Sequence, residues 1–284
     1  MSMPVNQFPP LPLIAWQPTR DTIHFYSKLP GRIRRALTPP QKHWWHASLQ
    51  VSSTGLTTTA IPVPERSPAT FQMVLDLLTH RLAISTSWGE AREMPLNGKP
   101  VQEFYHQTID ALSEMGIRSK IRLEVDAALF EDAQPRVYDP QAAGIFWQAL
   151  QAVDQALKQF KSELPCETSP VQFWPHNFDL ALMWLPGTQV AGVDPADVEH
   201  ADKQMAFGFS TGDVGIPDAY FYITAYPWPE DLMNQPLPAG AAWHTSGWKG
   251  ALLMYSTVST ADNPKEKLLD FLRAGFRAGS VFLR

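Results

Sequence analysis

Hydrophobic residues along the chain follow two different periods, and this change of period restricts the class of fold. Spacings of three and four residues run through three segments, Val101 to Met115, Ala142 to Phe160 and Lys265 to Phe276. In the second segment these spacings place seven apolar side chains on one stripe: Ala143, Phe146, Trp147, Leu150, Val153, Leu157 and Phe160. The pattern predicts amphipathic helices that pack against other elements.

Two of these helices are predicted to begin at a capping residue that is followed by proline. Asp139-Pro140 and Asn263-Pro264 each provide such a pair, and proline at the first helical position has the backbone angle that a helix requires. A further, shorter helix is predicted from about Thr22 to Leu37. We expect it to break at Pro30-Gly31, because proline removes a helical hydrogen bond.

Between the helices apolar and polar residues alternate, which predicts β-strands. The alternation is clearest from Phe71 to Leu75 and from Leu82 to Trp88, two strands joined by a tight connection near His80. Further strands are predicted at Ala47 to Val51, Leu56 to Ile61, Phe178 to Leu185, Met205 to Ser210, Ala219 to Tyr226 and Leu252 to Val258. The short links between strands favour antiparallel order.

Runs of strands closed by a helix are typical of the α+β class rather than of alternating βαβ units. One order of elements occurs twice, in residues 1–138 and 139–284: a helix, a proline-containing connection, a Trp/His segment, several strands and a helix. His46 and His176 occupy matching places in this order. The repetition predicts two similar halves, each a mainly antiparallel sheet with packed helices. It suggests that they are related by a pseudo-twofold axis and packed tightly enough to count as one domain.

Composition excludes several classes of function. The net charge of −5 argues against a nucleic-acid surface, which needs clustered Lys and Arg. The only basic cluster is Arg32, Arg34 and Arg35, and three arginines on a helix are usually a solvated face. The single cysteine, Cys166, excludes an intrachain disulfide and favours a reducing cytoplasm. The chain contains no stretch of about eighteen apolar residues, so no membrane span is predicted.

The segment His43-Trp44-Trp45-His46 contains two histidines that are three residues apart. On a helix this spacing would let both rings reach one metal ion, with His176 or Asp179 as a third ligand. The flanking prolines and the strand pattern instead favour an extended or irregular backbone, and on a strand the two rings point to opposite faces. The commoner interpretation is an aromatic cluster in which the histidines bond to backbone, because the glutamate of the helical zinc motif is missing.

A second Trp/His segment runs from Trp174 to Asp179 as Trp-Pro-His-Asn-Phe-Asp. Its proline predicts an extended turn before a strand, with His176 at the mouth of that strand and Asp179 three residues later. A His-Asp pair can transfer protons when the carboxylate orients the ring. A structural hydrogen bond explains the pair better, because no nucleophile lies nearby in the sequence.

The predicted strand from Ala219 to Tyr226 carries Tyr220, Tyr222 and Tyr226 on one parity. This row of hydroxyl groups either lines a cavity that holds a polar ligand or covers a half-exposed sheet face, and the sequence supports both equally. Trp243-His244 adds another aromatic and histidine cluster. The chain has no G-x-S-x-G sequence, so a serine hydrolase is not predicted.

Several short motifs in a fixed order resemble a known family. They are Leu37-Thr38-Pro39-Pro40, His43 through His46, Gly55-Leu56-Thr57-Thr58, Ser169-Pro170-Val171, Trp174-Pro175-His176, Phe178-Asp179 and the strand Tyr220 to Tyr226. As an ordered set, they resemble the bacterial domain-of-unknown-function family 5996 over nearly the whole chain. The resemblance implies a bacterial cytoplasmic protein and marks the two Trp/His segments as family hallmarks. It implies no activity, substrate or cofactor.

The leading functional prediction is small-molecule binding in an aromatic pocket between the two halves. The candidate residues are His43, Trp44, Trp45, His46, Trp174, His176, Asp179, Tyr220, Tyr222, Tyr226, Trp243 and His244. One alternative is metal-assisted hydrolysis, with a bound water as nucleophile and ligands drawn from His43, His46, His176 and Asp179. The other is a structural or interaction protein without a ligand. The sequence identifies no cofactor, reaction or oligomeric state.

Overall fold

The computed structural model describes residues 8–118 and 127–284, so residues 1–7 and 119–126 of the predicted N-terminal half lie outside the described part. Two antiparallel sheets and several helices confirm the α+β class. The described helices are α1 (Leu13–Leu37), α2 (Val101–Glu114), α3 (Ala127–Phe130), α4 (Pro140–Glu163), α5 (Tyr255–Ser259) and α6 (Pro264–Leu283). The described strands are β1 (Gln50–Val51), β2 (Gly55–Thr57), β3 (Ile61–Pro62), β4 (Thr70–Asp76), β5 (Arg81–Thr86), β6 (Ala91–Pro95), β7 (Glu167–Thr168), β8 (Gln172–Trp174), β9 (Asp179–Leu185), β10 (Gln204–Ser210), β11 (Tyr220–Tyr226), β12 (Ala241–His244) and β13 (Gly250–Met254).

The chain divides into two compact units, each of which draws on separate stretches of sequence. The N-terminal unit comprises Trp16–Trp147 and Phe173–Phe178. The C-terminal unit comprises Gln148–Gln172, Asp179–Arg284 and the described residues of Met1–Ala15. The division predicted between residues 138 and 139, and the pseudo-twofold relation between similar halves, stay predictions.

Helix α1 is longer than predicted and is not broken at Pro30-Gly31. It runs through Pro18 and Pro30 from Leu13 to Leu37. Its inner side is completely buried at Ile23, Tyr26, Leu29 and Ile33, and the Tyr26 hydroxyl donates to the Lys99 carbonyl at 2.6 Å. Burial of this stripe stabilises the continuous helix more than the backbone hydrogen bonds missing at the two prolines destabilise it.

In the N-terminal unit, strands β1 to β6 form one antiparallel sheet in the order β1-β2-β4-β5-β6, with β3 paired to β4. Strands β4 and β5 confirm the predicted alternation, although β5 ends at Thr86 and the predicted end at Trp88 lies in a turn. The turn between the two strands contains His80 at a φ of 57°. The strand predicted at Ala47 to Val51 is wrong in its first part, because Lys42–Ala47 is a 3-10 helix. The strand predicted at Leu56 to Ile61 divides into β2 and β3.

In the C-terminal unit, the sheet has the order β12-β13-β11-β10-β9-β7, with antiparallel neighbours. Helix α6 packs on one face, where Phe276 lies 5.0 Å from the Trp184 ring and 6.4 Å from the Phe207 ring. Gly275 permits a close approach there, since an added Cβ would lie 2.2 Å from Cδ1 of Ile223. Because side chains alternate along a strand, Tyr220 and Tyr222 point to the opposite face.

The three predicted amphipathic helices are confirmed as α2, α4 and α6. The Asn263 side chain accepts from the Glu266 amide at 3.3 Å, as the predicted cap requires. The strand predicted at Leu252 to Val258 is wrong in its second half, which forms α5. Tyr255 and Val258 are both buried, and a spacing of three residues places two side chains on one side of a helix but not of a strand. No helix in the described residues is both long and apolar enough to cross a membrane.

Candidate functional site

The residues predicted from the sequence fall into two groups, one in each compact unit. The N-terminal unit contains His43, Trp44, Trp45, His46, Trp174 and His176. The C-terminal unit contains Asp179, Tyr220, Tyr222, Tyr226, Trp243 and His244. Each group has its own surroundings and its own chemistry.

The first Trp/His segment is neither a regular helix nor a strand. It forms the 3-10 helix Lys42–Ala47, in which His43 (φ 52°) and Trp44 (φ 57°) take the left-handed conformation. Left-handed backbone is costly for residues other than glycine and concentrates at functional sites. His43 and His46 are both buried, with 5% and 3% of their surfaces exposed. The strand geometry with opposite-facing histidines is therefore wrong for this segment.

His46 is held as a neutral hydrogen-bond acceptor. The Gln41 backbone amide donates to Nδ1 of its ring at 3.1 Å, and the Trp44 ring lies 5.7 Å away. Burial, followed by the charges of Arg35 and Arg34, lowers the pKa of His46. With Nδ1 accepting, the proton of the neutral ring is assigned to Nε2.

Arg34 is buried beneath this segment, which corrects the interpretation of the arginine cluster as a solvated face. Only 8% of Arg34 is exposed. Its Nη1 donates to the Trp45 carbonyl at 3.0 Å, to the Ser48 carbonyl and to the Ser48 hydroxyl at 3.2 Å. The exposed neighbour Arg35 instead places its guanidinium over the Trp44 ring, 4.4 Å from the centroid. Arg34 lies four residues after Pro30, which is also buried, so the two residues share one side of α1. This helical spacing could have identified Arg34 as a buried residue.

The second Trp/His segment is a turn between β8 and β9. The Phe178 amide donates to the Trp174 carbonyl at 2.8 Å and closes the turn. Pro175 packs against α1, where a Cβ on Gly31 would lie 2.9 Å from Cγ of the proline. His176 is exposed in this turn, and its ring is 5.7 Å from the half-buried ring of Trp174.

Backbone pairing connects the two Trp/His segments within the N-terminal unit. Leu49, three residues after His46, exchanges two 2.8 Å hydrogen bonds with Phe173, the residue before Trp174. These long-range bonds position both segments beside α1. The sequence order of elements does not reveal such an arrangement, because the bonded residues are far apart in the chain.

No pattern in the sequence singled out His24 on α1. Its Nε2 lies 3.3 Å from the His176 carbonyl, and its ring is 5.0 Å from the Phe178 ring. Burial, followed by the charges of Arg20 and Lys28, lowers the pKa of His24 to about 4. The ring is therefore neutral at pH 7.

In the C-terminal unit, Asp179 is a buried carboxyl group with one side-chain partner. It is 7% exposed at the start of β9, and its Oδ2 accepts from the Tyr222 hydroxyl at 2.5 Å. Its Oδ1 is buried and has no hydrogen-bond partner in the described part of the chain. Burial raises the pKa of Asp179 to about 6, although the Tyr222 hydrogen bond acts in the other direction.

Gly208 makes the contact between Tyr222 and Asp179 possible. On the sheet, Tyr222 is paired with Gly208 and Gly208 with Ala181, so the tyrosine ring must cross β10 to reach β9. A Cβ on Gly208 would lie 2.3 Å from Cζ of Tyr222, far closer than two carbon atoms can approach. A glycine inside a strand is a signal for such close approach.

Further aromatic side chains surround this pair. The Trp248 ring lies 6.2 Å from the rings of both Tyr220 and Tyr222, and the His244 ring lies 4.5 Å from Trp248. The sheet-face cluster is defined here as Asp179, Tyr220, Tyr222, His244 and Trp248. Tyr220 is buried, whereas Tyr222, His244 and Trp248 are half-buried.

Tyr220 and Tyr222 use their hydroxyl groups differently. The Tyr220 hydroxyl donates at 2.8 Å to Asp213 Oδ2, while Oδ1 of Asp213 accepts from the amides of Gly215 and Ile216 at 2.7 and 2.9 Å. That carboxylate therefore anchors a loop. Of these two carboxyl groups, the one with a buried oxygen that lacks a described hydrogen-bond partner is Asp179, held by Tyr222.

Two predicted residues do not join the sheet-face cluster. Trp243 packs against the Trp228 ring at 6.2 Å and donates Nε1 to the Gln235 carbonyl at 3.0 Å. The Tyr226 ring lies at the other end of β11, 5.3 Å from the His200 ring. The contacts of Trp243 and Tyr226 therefore indicate a structural role for both side chains.

The described residues contain no group of three or more His, Cys, Asp or Glu side chains that could hold a metal ion. The four metal candidates therefore gain no support from a ligand cluster. In the C-terminal unit, Oδ2 of Asp179 accepts a hydrogen bond from the Tyr222 hydroxyl.

Comparison with known proteins supplies a family and no activity. Neither a curated protein nor a solved structure matches the chain. A family model described as a family of unknown function (DUF5996) matches residues 8–283, nearly all of the 284 residues. The resemblance seen in the ordered motifs is thus confirmed, and the chain belongs to the family of unknown function DUF5996.

Proposed function

We propose that the protein binds a small organic molecule on the sheet-face cluster of the C-terminal unit. The observation that carries this proposal is the buried Asp179 carboxyl, whose Oδ1 has no partner among the described residues. A buried polar atom without a hydrogen bond destabilises a folded protein by about 1–3 kcal/mol. A ligand that donates a hydrogen bond to Oδ1 would offset this cost.

The protonation state of Asp179 indicates the chemistry of the ligand. With a pKa of about 6, the carboxyl group is mainly ionised at pH 7.5 and can attract a cation. The rings of Tyr220, Tyr222 and Trp248 offer π-faces beside it, and such faces also attract cations. We therefore propose a ligand with a protonated amine and an aromatic or aliphatic body that packs on these rings.

The alternatives differ in what they require of the structure. Metal-assisted hydrolysis requires a ligand cluster, and no observation on the described residues favours it. A structural or interaction protein without a ligand requires that the sheet-face cluster serve only packing. The unpartnered oxygen of Asp179 favours binding over this second alternative.

Benzylamine is a suitable probe, with benzyl alcohol and phenylacetate as neutral and anionic analogues of similar shape. We expect benzylamine to raise the melting temperature at pH 7.5 and to change tryptophan fluorescence through Trp248, whereas phenylacetate does neither. Calorimetry at pH 7.5 and pH 5 adds a second criterion. Because the ionised fraction of Asp179 falls roughly tenfold over this interval, the benzylamine affinity should fall roughly tenfold.

The variant Asp179→Asn tests the assignment, and Asp270→Asn is its matched control. Asp270 lies on α6 in the same unit with 62% of its side chain exposed, so its loss removes one charge without touching the cluster. We expect only Asp179→Asn to abolish benzylamine binding. Equal binding by wild type and Asp179→Asn contradicts the proposal, and no response of the wild type to any of the three probes favours the purely structural alternative.

A further inference from the structure

Arg34 in the N-terminal unit is a buried cation that lacks an ionic partner. No carboxylate in the described part of the chain forms an ion pair with it, and burial is the only cause acting on its pKa, which it lowers. Arginine nevertheless stays protonated in proteins. A buried charge that no opposite charge compensates strongly destabilises the folded state.

One edge of the Arg34 guanidinium is occupied and the other is not. Nη1 makes all of the hydrogen bonds that Arg34 forms with described residues, and their acceptors are Trp45 and Ser48. Nε is buried without a partner. The edge formed by Nε and Nη2 carries two parallel N–H groups, which is the arrangement that binds a carboxylate or a phosphate through two oxygens.

The side chains around Arg34 are suited to an anion. His46 lies close enough to Arg34 and Arg35 for both charges to lower its pKa, and Nε2 of the neutral ring is a hydrogen-bond donor. Arg35, the next residue of α1, is held over the Trp44 ring, 4.4 Å from its centroid, so a second cation lies beside the same segment. Two cations of α1 and the donor ring of His46 thus lie together at the first Trp/His segment.

We propose that the Nε and Nη2 edge of Arg34 is a binding site for a small oxyanion, a phosphate or a carboxylate, beside the 3-10 helix Lys42–Ala47. The bound oxyanion supplies the negative charge that the described residues do not. Fixing Nη1 to Trp45 and Ser48 orients the guanidinium before the anion arrives, and such preorganisation reduces the entropy lost on binding. This site lies in the N-terminal unit and does not depend on the amine site proposed in the C-terminal unit.

Sodium phosphate and sodium acetate, each compared with sodium chloride at matched ionic strength, test the proposal on the wild-type protein. We expect phosphate or acetate, but not chloride, to raise the melting temperature in a saturable way, because a ligand that binds only the folded state stabilises it. Titration calorimetry gives the affinity of each anion and shows which oxyanion the site prefers. Equal effects of all three salts on the wild type would overturn the proposal.

Substitutions then locate the site. Arg34→Lys keeps the charge and loses the two-donor edge, so we expect its oxyanion affinity to fall at least about tenfold. Arg66→Gln is the control, because Arg66 is an exposed arginine of the same unit whose described contact is the Trp88 ring, 4.2 Å from its guanidinium carbon. Unchanged affinity in Arg34→Lys contradicts the assignment to Arg34. If this variant does not fold, the comparison of the three salts on the wild type still decides whether a selective oxyanion site exists. An equal loss of affinity in Arg66→Gln would contradict the assignment to Arg34.

Discussion

Asp179 in the C-terminal unit and Arg34 in the N-terminal unit are both buried charged residues, with 7% and 8% of their surfaces exposed. Each uses one polar edge within its own unit, Asp179 toward Tyr222 and Arg34 toward Trp45 and Ser48. Each also has a polar atom without a partner in the described residues. The two sites therefore present the same problem with opposite charge.

The two residues differ in how the cost of burial can be relieved. Asp179 can take up a proton, and its pKa of about 6 places that step close to neutral pH. Arg34 cannot release its proton at any pH at which proteins are folded, so only an anion can compensate it. A buried carboxyl group can thus be a titrating site, whereas a buried arginine with only neutral partners indicates a bound counter-ion.

The largest expected effect concerns the contact that holds Asp179. Gly208→Ala places a Cβ 2.3 Å from Cζ of Tyr222, so the ring must move and its hydrogen bond to Asp179 must break. We expect the free energy of unfolding to fall by about 4 kcal/mol, from overpacking together with the loss of a bond to a charged group. Urea denaturation measures it.

Gly144→Ala is the control for this substitution. A Cβ at Gly144 on α4 meets nothing within 4 Å, and alanine favours a helix over glycine by up to about 1 kcal/mol. We expect this control to be neutral or slightly stabilising. A small effect of Gly208→Ala would show that the Tyr222 ring can leave Asp179 at little cost, which would weaken the contrast between the two sites.

The next largest effect is a dependence of stability on pH, which we expect from Asp179 and not from Arg34. The pKa of Asp179 is about 6 in the folded protein against 3.8 normally, so the folded state binds the proton more tightly and the charged form destabilises it. This penalty is absent below pH 3.8, grows as pH rises toward 6, and is complete above pH 6, where it reaches about 3 kcal/mol. Stability relative to Asp179→Asn should therefore fall by about that amount between pH 4 and pH 8.

Denaturation of wild type and Asp179→Asn at several pH values measures this difference, because other titrating groups cancel in the comparison. The same series for wild type and Arg34→Lys should give a difference that is independent of pH between 4 and 8. If the difference in stability between wild type and Asp179→Asn does not change with pH, the pKa of Asp179 is ordinary in the folded protein. Its carboxylate would then be hydrogen-bonded or solvated when the protein is in solution.

The smallest effect probes the occupied edge of Arg34. Ser48 is fully buried, accepts from Arg34 Nη1 at 3.2 Å and donates to the Trp45 carbonyl at 2.9 Å. We expect Ser48→Ala to lower the free energy of unfolding by about 2 kcal/mol. Ser27→Ala is the control, since this equally buried hydroxyl donates only to the His24 carbonyl at 2.7 Å. If chemical denaturation shows that Ser48→Ala and Ser27→Ala lower the free energy of unfolding equally, the hydrogen bond between Ser48 and Arg34 adds nothing to stability.

Local signals predicted the regular elements well and the irregular ones poorly. Helix α6 was predicted because Asn263, Pro264 and the apolar stripe all favour the same structure. The 3-10 helix of the first Trp/His segment was not predicted, because the left-handed backbone of His43 and Trp44 is unfavourable for each residue taken alone. The surrounding contacts of Arg34, Ser48 and Gln41 hold this segment, and they involve residues outside any local pattern.

The sequence by itself determined the α+β class, the helices α2, α4 and α6, the parity of the tyrosines on β11 and membership of the family, because these follow from periodicity and from ordered motifs. Only the tertiary structure decided which candidates form sites. It paired Tyr222 with Asp179 across Gly208 and buried Arg34 under the first Trp/His segment, while leaving Tyr226 and Trp243 in other surroundings. The physical reason is that burial and hydrogen bonding of a charged group depend on strands and helices that are distant in sequence, and these long-range contacts set its charge state and its need for a ligand.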